Sequence, residues 1–216
     1  MNQPELREPL RTPTEHRFRL LKAMADVAAR KGYAEATIAD IVREAGVSKR
    51  TFYENFESKD ACFLALYRSA SHAALQALRS SLAPDKPWQA QVEHALSTYF
   101  AHLAAGPALV RTLFVEIHQL GPAGMQVRRE VMQHLADFML ETVNAPLAEP
   151  SGGSVIDGSA SLPPALSRTM ALAAVGGINE LVLEAIEKGE AEQLQVLSSA
   201  AGEVVRALTH AHLKDR

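Results

Sequence analysis

Lys49, Arg50, Thr51 and Tyr53 stand almost side by side, directly behind Ser48. Cations and hydroxyls at the start of a short helix are what base edges and phosphates require. A guanidinium or ammonium donates to guanine O6 and N7, a threonine hydroxyl meets a base or a phosphate, and the first N–H groups of the helix favour phosphate. Such a helix needs a partner to hold it. Thr37, with Asp40 three residues on, reads as the cap of a helix carrying Ile38, Ile41 and Val42 and closing near Ala45. Gly46 breaks that helix where the backbone needs positive φ, and Ser48 caps the next one, over about residues 49–55. Ala45, Val47 and Phe52 can lock the two together and leave Lys49, Arg50, Thr51 and Tyr53 outside. Two short helices about a glycine turn have the geometry of a helix-turn-helix that reads duplex DNA.

The elements around this pair are also helical. Phe18, Leu21, Met24, Ala25 and Ala28 recur at helical spacing over 15–31, ending at Gly32, and Ser58 starts a long helix from Lys59 to about Leu82. Residues 1–14, with Pro4, Pro9 and Pro13 among polar groups, read as a flexible arm whose Arg7 and Arg11 either enter a minor groove or touch nothing. Beyond Pro87 the spacing predicts helices near 88–105, 107–119 and 121–145. A linker at 147–162 follows, then a helix from about Pro163 to Gly189 and a last one built on Leu194, Leu197, Val204, Val205 and Leu208. The expectation is an all-α fold of about nine helices, divided as a flexible arm (1–14), a DNA-binding domain (15–58) and a larger helical domain (59–216).

At Thr37-Ile38-Ala39-Asp40-Ile41, Ala45-Gly46-Val47-Ser48, Thr51-Phe52-Tyr53-Glu54-Asn55-Phe56 and Ser58-Lys59-Asp60, the chain resembles the TetR family of transcriptional regulators. The resemblance implies that the first three helices bind a near-palindromic double-stranded operator and that the fourth links them to a ligand-binding and dimerisation domain. By position it gives Thr37, Tyr53 and Lys59 to phosphates and Lys49, Arg50 and Thr51 to bases, with Ser48 at the head of the recognition helix. It implies a cytoplasmic homodimer, a repressor by family tendency, released from DNA by a small-molecule effector. The competing reading is a ligand-sequestering or protein-docking helical module that has lost DNA binding.

Other residues carry weaker signals. Tyr99, His102, His118, Met125, His134 and Phe138 are the candidates for an effector pocket that is apolar with a few polar anchors. Gly176-Gly177 inside a helix costs about 1 kcal/mol per glycine relative to alanine. Close approach of a partner helix would offset that, which suggests a dimer interface of Gly177, Ile178, Leu181, Val182, Leu197, Val204, Val205 and Leu208; a local kink or packing within one subunit is the alternative. Cys62, the only cysteine, is either a packing residue or a thiol activated by a helix start. Glu130 and His134, at i and i+4, lack a second ligand pair, so no metal or cofactor is expected. The motifs of serine hydrolases, zinc peptidases and phosphate-binding loops are absent, and no enzyme is expected. Net charge is −3, and residues 1–60 carry eleven Lys and Arg against ten Asp and Glu, so any grip on DNA rests on placed cations rather than on the overall field. No run of about 18 uninterrupted apolar residues marks a membrane span.

Overall fold

The computed structural model describes residues 13–83, 85–144 and 166–214; among them every regular element is helical. The chain divides into two compact units, one up to Leu66 and the other from Tyr67 onward.

The first unit packs α1 (Pro13–Lys31), α2 (Ile38–Ala45), α3 (Lys49–Asn55) and the opening turns of α4 (Lys59–Ser80). α1 starts two residues before the expected Glu15, with Pro13 at a first-turn position where its missing N–H costs nothing. The remainder of the expected arm, Arg7 and Arg11 included, lies outside the described residues. The buried face of α1 is Leu20, Ala23, Met24, Val27 and Ala28. This corrects the expected stripe: Phe18 is 68% exposed and Leu21 only half-buried. Two overlapping apolar rows with helical spacing existed, and packing against α2 and α3 selects the one through Leu20.

The expected domain boundary before Lys59 also moves. Cys62 and Phe63 are fully buried in the first unit and Leu66 nearly so, so α4 begins as part of that unit's core and continues into the second.

The second unit comprises the rest of α4, α5 (Trp88–Ala104), α6 (Pro107–Glu116), a 3-10 turn at Ile117–Leu120, α7 (Gly121–Val143), α8 (Arg168–Glu187), a 3-10 turn at Leu194–Leu197 and α9 (Ser198–Lys214). α8 starts at Arg168, where the Ser167 side chain accepts from Met170 N at 3.2 Å. The expected start near Pro163 and the linker at 147–162 fall outside the described residues. The core gathers Phe100 and Leu103 of α5, Ala136 and Val143 of α7, Val182 and Ile186 of α8 and Val205 of α9. Ion pairs tie its rim: Arg168 to Asp137 at 2.6 Å, Arg206 to Glu93 at 2.7 Å, and Arg79 to Glu141 at 3.0 Å. Asn144 grips the other side of the undescribed stretch, donating to Leu166 O at 3.1 Å and accepting from Leu166 N at 2.9 Å.

By length and composition α8 is the one described helix apolar enough to cross a membrane, with mean hydropathy 1.4. Its Ala171, Ala174, Val175, Ile178, Val182, Ala185 and Ile186 are buried in this core, the place its apolar character serves.

That packing changes the expected dimer surface. Ile178, Val182 and Val205 are buried inside the chain's own core, and Leu197, Val204 and Leu208 pack against it. Leu181 is half-buried. A Cβ on Gly177 would stand 3.9 Å from Val204, ordinary contact between α8 and α9 within one chain. A helix inside a bundle has apolar neighbours on two sides, and the sequence pattern alone does not separate them. The exposed positions of the two helices instead mix Leu172 and Ala173 of α8 and Ala200 and Ala207 of α9 with Thr169, Glu180, Glu184, Glu187 and Glu203. A Cβ on Gly176 would meet nothing within 4 Å.

Candidate nucleic-acid interface and ligand cavity

The interface is built from the α2–α3 turn outward. Thr37 and Asp40 form the expected reciprocal cap: Asp40 N donates to Thr37 Oγ1 at 3.1 Å, and Thr37 N donates to Asp40 Oδ2 at 3.2 Å. The Thr37 hydroxyl also donates to Asp40 Oδ2 at 2.6 Å. Asp40 in turn receives Lys31 at 2.6 Å and Arg43 at 2.7 Å. The hydrogen bond from Lys31, followed by that from Thr37, holds its carboxyl well below the usual carboxylate range.

At the other end of α2, Gly46 adopts φ 61° and ψ 42°. Its N–H donates to Arg43 O at 3.2 Å while Val47 N donates to Val42 O at 3.0 Å, the paired bonds of a Schellman ending. Arg19 of α1 covers the remaining carbonyls, donating to Ala45 O and, at 3.1 Å, to Gly46 O. Two residues later Ser48 caps α3, accepting from Thr51 N at 3.0 Å. Phe52 is fully buried, Ala45 nearly so and Val47 half-buried, so the apolar contacts expected at the turn are present.

This arrangement turns one side of α3 outward. Lys49 and Arg50 are exposed and Tyr53 is 57% exposed, its ring edge-on to Phe52 at 5.6 Å. Thr51 is half-buried, with its hydroxyl 2.9 Å from that of Ser48. Arg50 leans back along the helix to Glu54 at 2.9 Å. Arg17 closes the far end, donating to Asn55 O at 3.3 Å with its guanidinium 4.5 Å from the centre of the Phe56 ring.

Lys59 is placed differently from the other cations. Its ammonium donates to Tyr33 O at 2.9 Å and Ala34 O at 3.3 Å and lies 4.3 Å from the centre of the Tyr33 ring. It staples the start of α4 to the turn between α1 and α2. Tyr33 completes the staple: its ring meets Phe63 edge-on at 4.8 Å and its hydroxyl donates to Asp60. Burial first, and that hydrogen bond second, push the phenol well above its ordinary range. Arg17, Arg19 and Tyr33 are positioning residues that spacing does not reveal, because an arginine or tyrosine on α1 or in a turn has no spacing signature. Cys62 is buried, and desolvation pushes its thiol up to about 12, the opposite of activation by the helix start.

In the second unit two cavities meet along a wall shared by Tyr99, Met132, Leu135 and Asn179. They enclose about 620 and 690 Å³ of empty space, their open mouths included. Of the six residues expected at an effector site, Tyr99 lines both cavities, Phe138 the first and His102 the second. His134 lies in a separate surface cleft with Arg68 and Glu130, and the exposed His118 and Met125 line neither cavity. Histidines on amphipathic helices face outward as readily as inward, and the periodicity of α6 and α7 left their phase open. Glu130 is bound to Arg68 at 3.0 Å and to Gln126 at 3.2 Å, and among the described residues no three His, Cys, Asp or Glu side chains group as a metal site. α4 contributes to both places, giving Lys59 and Phe63 to the first unit and Tyr67, Ser71, Ala74 and Leu78 to the cavity walls.

Residues 20–66 match the family described as bacterial regulatory proteins, tetR family. The uncharacterised HTH-type transcriptional regulator YdgC of Bacillus subtilis is 38% identical over 68 residues, which are 32% of this chain and 34% of YdgC, so the match spans about a third of that protein. The fold extends further than the sequence likeness. A putative transcriptional regulator from Pseudomonas aeruginosa PAO1 superposes with a TM-score of 0.71 at 18% identity, over 99% of this chain and 100% of that one. The FadR regulator of Bacillus subtilis, in complex with stearoyl-CoA, gives 0.65 at 17% identity over 87% and 96%. The likeness to the tetR family of bacterial regulatory proteins thus lies in residues 20–66, which carry the α2–α3 interface.

Proposed function

We propose that this chain is a cytoplasmic, homodimeric transcriptional regulator that holds a near-palindromic operator with α3 in the major groove and is a repressor released by a small molecule bound in the second unit. The observation that carries this reading is the outward row Lys49, Arg50 and Tyr53, presented by a helix whose both ends and preceding turn are fixed by specific bonds. Arg50, 89% exposed, is the base-reading candidate; Lys49, Thr51 and Tyr53 flank it, and Thr37, Ser48 and Lys59 lie where phosphates would pass. Lys59 acts mainly by orienting the start of α4, with its remaining N–H free to donate.

Two copies are needed because one short helix reads only a half-site; a symmetric pair presents its reading helices about one turn of DNA apart, ~34 Å, or at a longer spacing. The exposed Leu172 and Ala173 of α8 and Ala200 and Ala207 of α9 mark the surfaces for that pairing. Release follows from linkage: a ligand preferring the spacing that does not fit DNA lowers operator affinity by its differential binding energy, about 1–3 kcal/mol. α4 is the natural carrier, since residues of this one helix serve both the head and the cavity walls. The likeness to a regulator solved with stearoyl-CoA supports an apolar effector.

Selection of bound fragments from random duplex DNA tests the reading. Arg50→Ala should erase the sequence preference of the selected sites, and Lys59→Ala should weaken all sites alike and flatten the salt dependence. A protein that stays monomeric, or ignores duplexes at low ionic strength, refutes it.

A further inference from the structure

The two cavities contain an unspent polar group. Asn179 reaches their shared wall, and its Nδ2 is buried without a hydrogen-bond partner. An unsatisfied buried amide is unfavourable unless something supplies the missing acceptor. Tyr99 stands on the same wall. The remaining lining is overwhelmingly apolar, and neither cavity has a Lys, Arg, Asp or Glu on its walls. Thr142 is already committed, donating to Phe138 O at 2.9 Å. The titratable side chains on the walls are Tyr67 and Tyr99, neutral phenols, and His102, which is exposed at the outer side of α5.

We propose that the two cavities are compartments of one site for an uncharged amphiphile, whose hydrocarbon fills them and whose single carbonyl accepts a hydrogen bond from Asn179 Nδ2 beside the Tyr99 hydroxyl. The inference rests on the ligand-released regulator above and sharpens it, because it separates this site from one that takes a fatty acid or an acyl thioester of a nucleotide carrier. A carboxylate entering here gives up its hydration with no cation to receive it. It enters only as the neutral acid, so its affinity is limited by the protonated fraction, which falls tenfold per pH unit above a carboxyl pKa of about 4.3.

The test uses the full-length protein and three probes of one chain length: methyl laurate, laurate and dodecane, with direct binding measured by calorimetry. Methyl laurate should bind at least about a hundredfold tighter than laurate near neutral pH. Laurate should gain about tenfold for each pH unit lowered, while the ester stays flat; His102→Gln should leave both slopes unchanged. Asn179→Leu, of similar volume, should weaken the ester by about three- to tenfold and leave dodecane unaffected. Its unliganded melting temperature should not fall, since the amide it removes had no partner. Tyr99→Phe is the second variant and should weaken the ester a few-fold with the same indifference to dodecane.

Laurate binding as tightly as its ester, laurate binding lost in His102→Gln, an ester indifferent to Asn179→Leu and Tyr99→Phe, or no binding by any probe overturns the proposal. Should the ester bind as expected yet leave operator affinity unchanged, the release mechanism fails and the ligand chemistry stands.

Discussion

Gly46→Ala separates backbone strain from side-chain collision at the turn that sets the angle of the reading helix. Gly46 sits in the left-handed region, where a non-glycine residue costs about 1–2 kcal/mol. The new Cβ would also stand 2.7 Å from Arg19 Nη2. That atom ends a flexible side chain, so the guanidinium swings away at little steric cost but releases the carbonyls of Ala45 and Gly46, a further loss of about 1 kcal/mol. The sum is about 2–3 kcal/mol, or roughly 4–12 °C in melting temperature for a chain of this size. Far-UV circular dichroism during heating measures the total, and fluorescence of the single tryptophan, Trp88, reports the second unit separately. Repeating the substitution in an Arg19→Ala background isolates the backbone share, which should remain at about 1–2 kcal/mol. Gly46→Asn should cost less than Gly46→Ala, because asparagine enters the left-handed region more readily. A Gly46→Ala protein as stable as wild type, or a cost that vanishes once Arg19 is gone, refutes the assignment of strain to the backbone.

Glu54 competes with DNA for Arg50 across 2.9 Å, so Glu54→Gln should raise affinity for duplexes about two- to fivefold at low salt, with the gain shrinking as salt rises, in a fluorescence-polarisation titration. Cys62 should resist thiol reagents in the folded protein near neutral pH and react fully in denaturant, as followed by release of thionitrobenzoate. Asp40 has its folded carboxyl pKa lowered, so its contribution is present above the unfolded carboxyl range, near pH 4, and is lost as pH falls toward the folded value; Asp40→Asn should flatten the acid limb of a stability-versus-pH curve. Gly176→Ala should favour the helix by about 1 kcal/mol in an isolated chain, since nothing stands within 4 Å of the added methyl, yet loosen a dimer held through α8, which sedimentation across a concentration series reads directly.

The α2–α3 turn was legible in the sequence because each of its parts is local. Thr37 with Asp40, Gly46, and Ser48 with Thr51 bond within a few residues, so spacing alone reveals them. The staples from Arg17, Arg19 and Lys59 were hidden because each reaches 25 residues or more along the chain to a backbone carbonyl, and a carbonyl has no residue type. The second unit was legible as helices but not as faces. His134 and Phe138 are four apart on α7, yet one faces an exposed cleft and the other a cavity wall, and only the packed neighbours decide which. Asn179 gave no signal at all, since an asparagine within an apolar helix reads equally as solvent-facing; its unpaired amide emerges only with the cavities.

The two bonds between Asn144 and Leu166 fix the register in which α7 leaves and α8 returns, and Arg168 ties α8 to Asp137, about two turns before Asn144 on α7. The alignment of the two helices is thus held by bonds among the described residues at the ends of the interval between them. Closure entropy grows only slowly with the length of such a span, so relatives can lengthen, shorten or rewrite it without disturbing the bundle. The interval is accordingly the place to graft a purification handle or a fluorescent reporter.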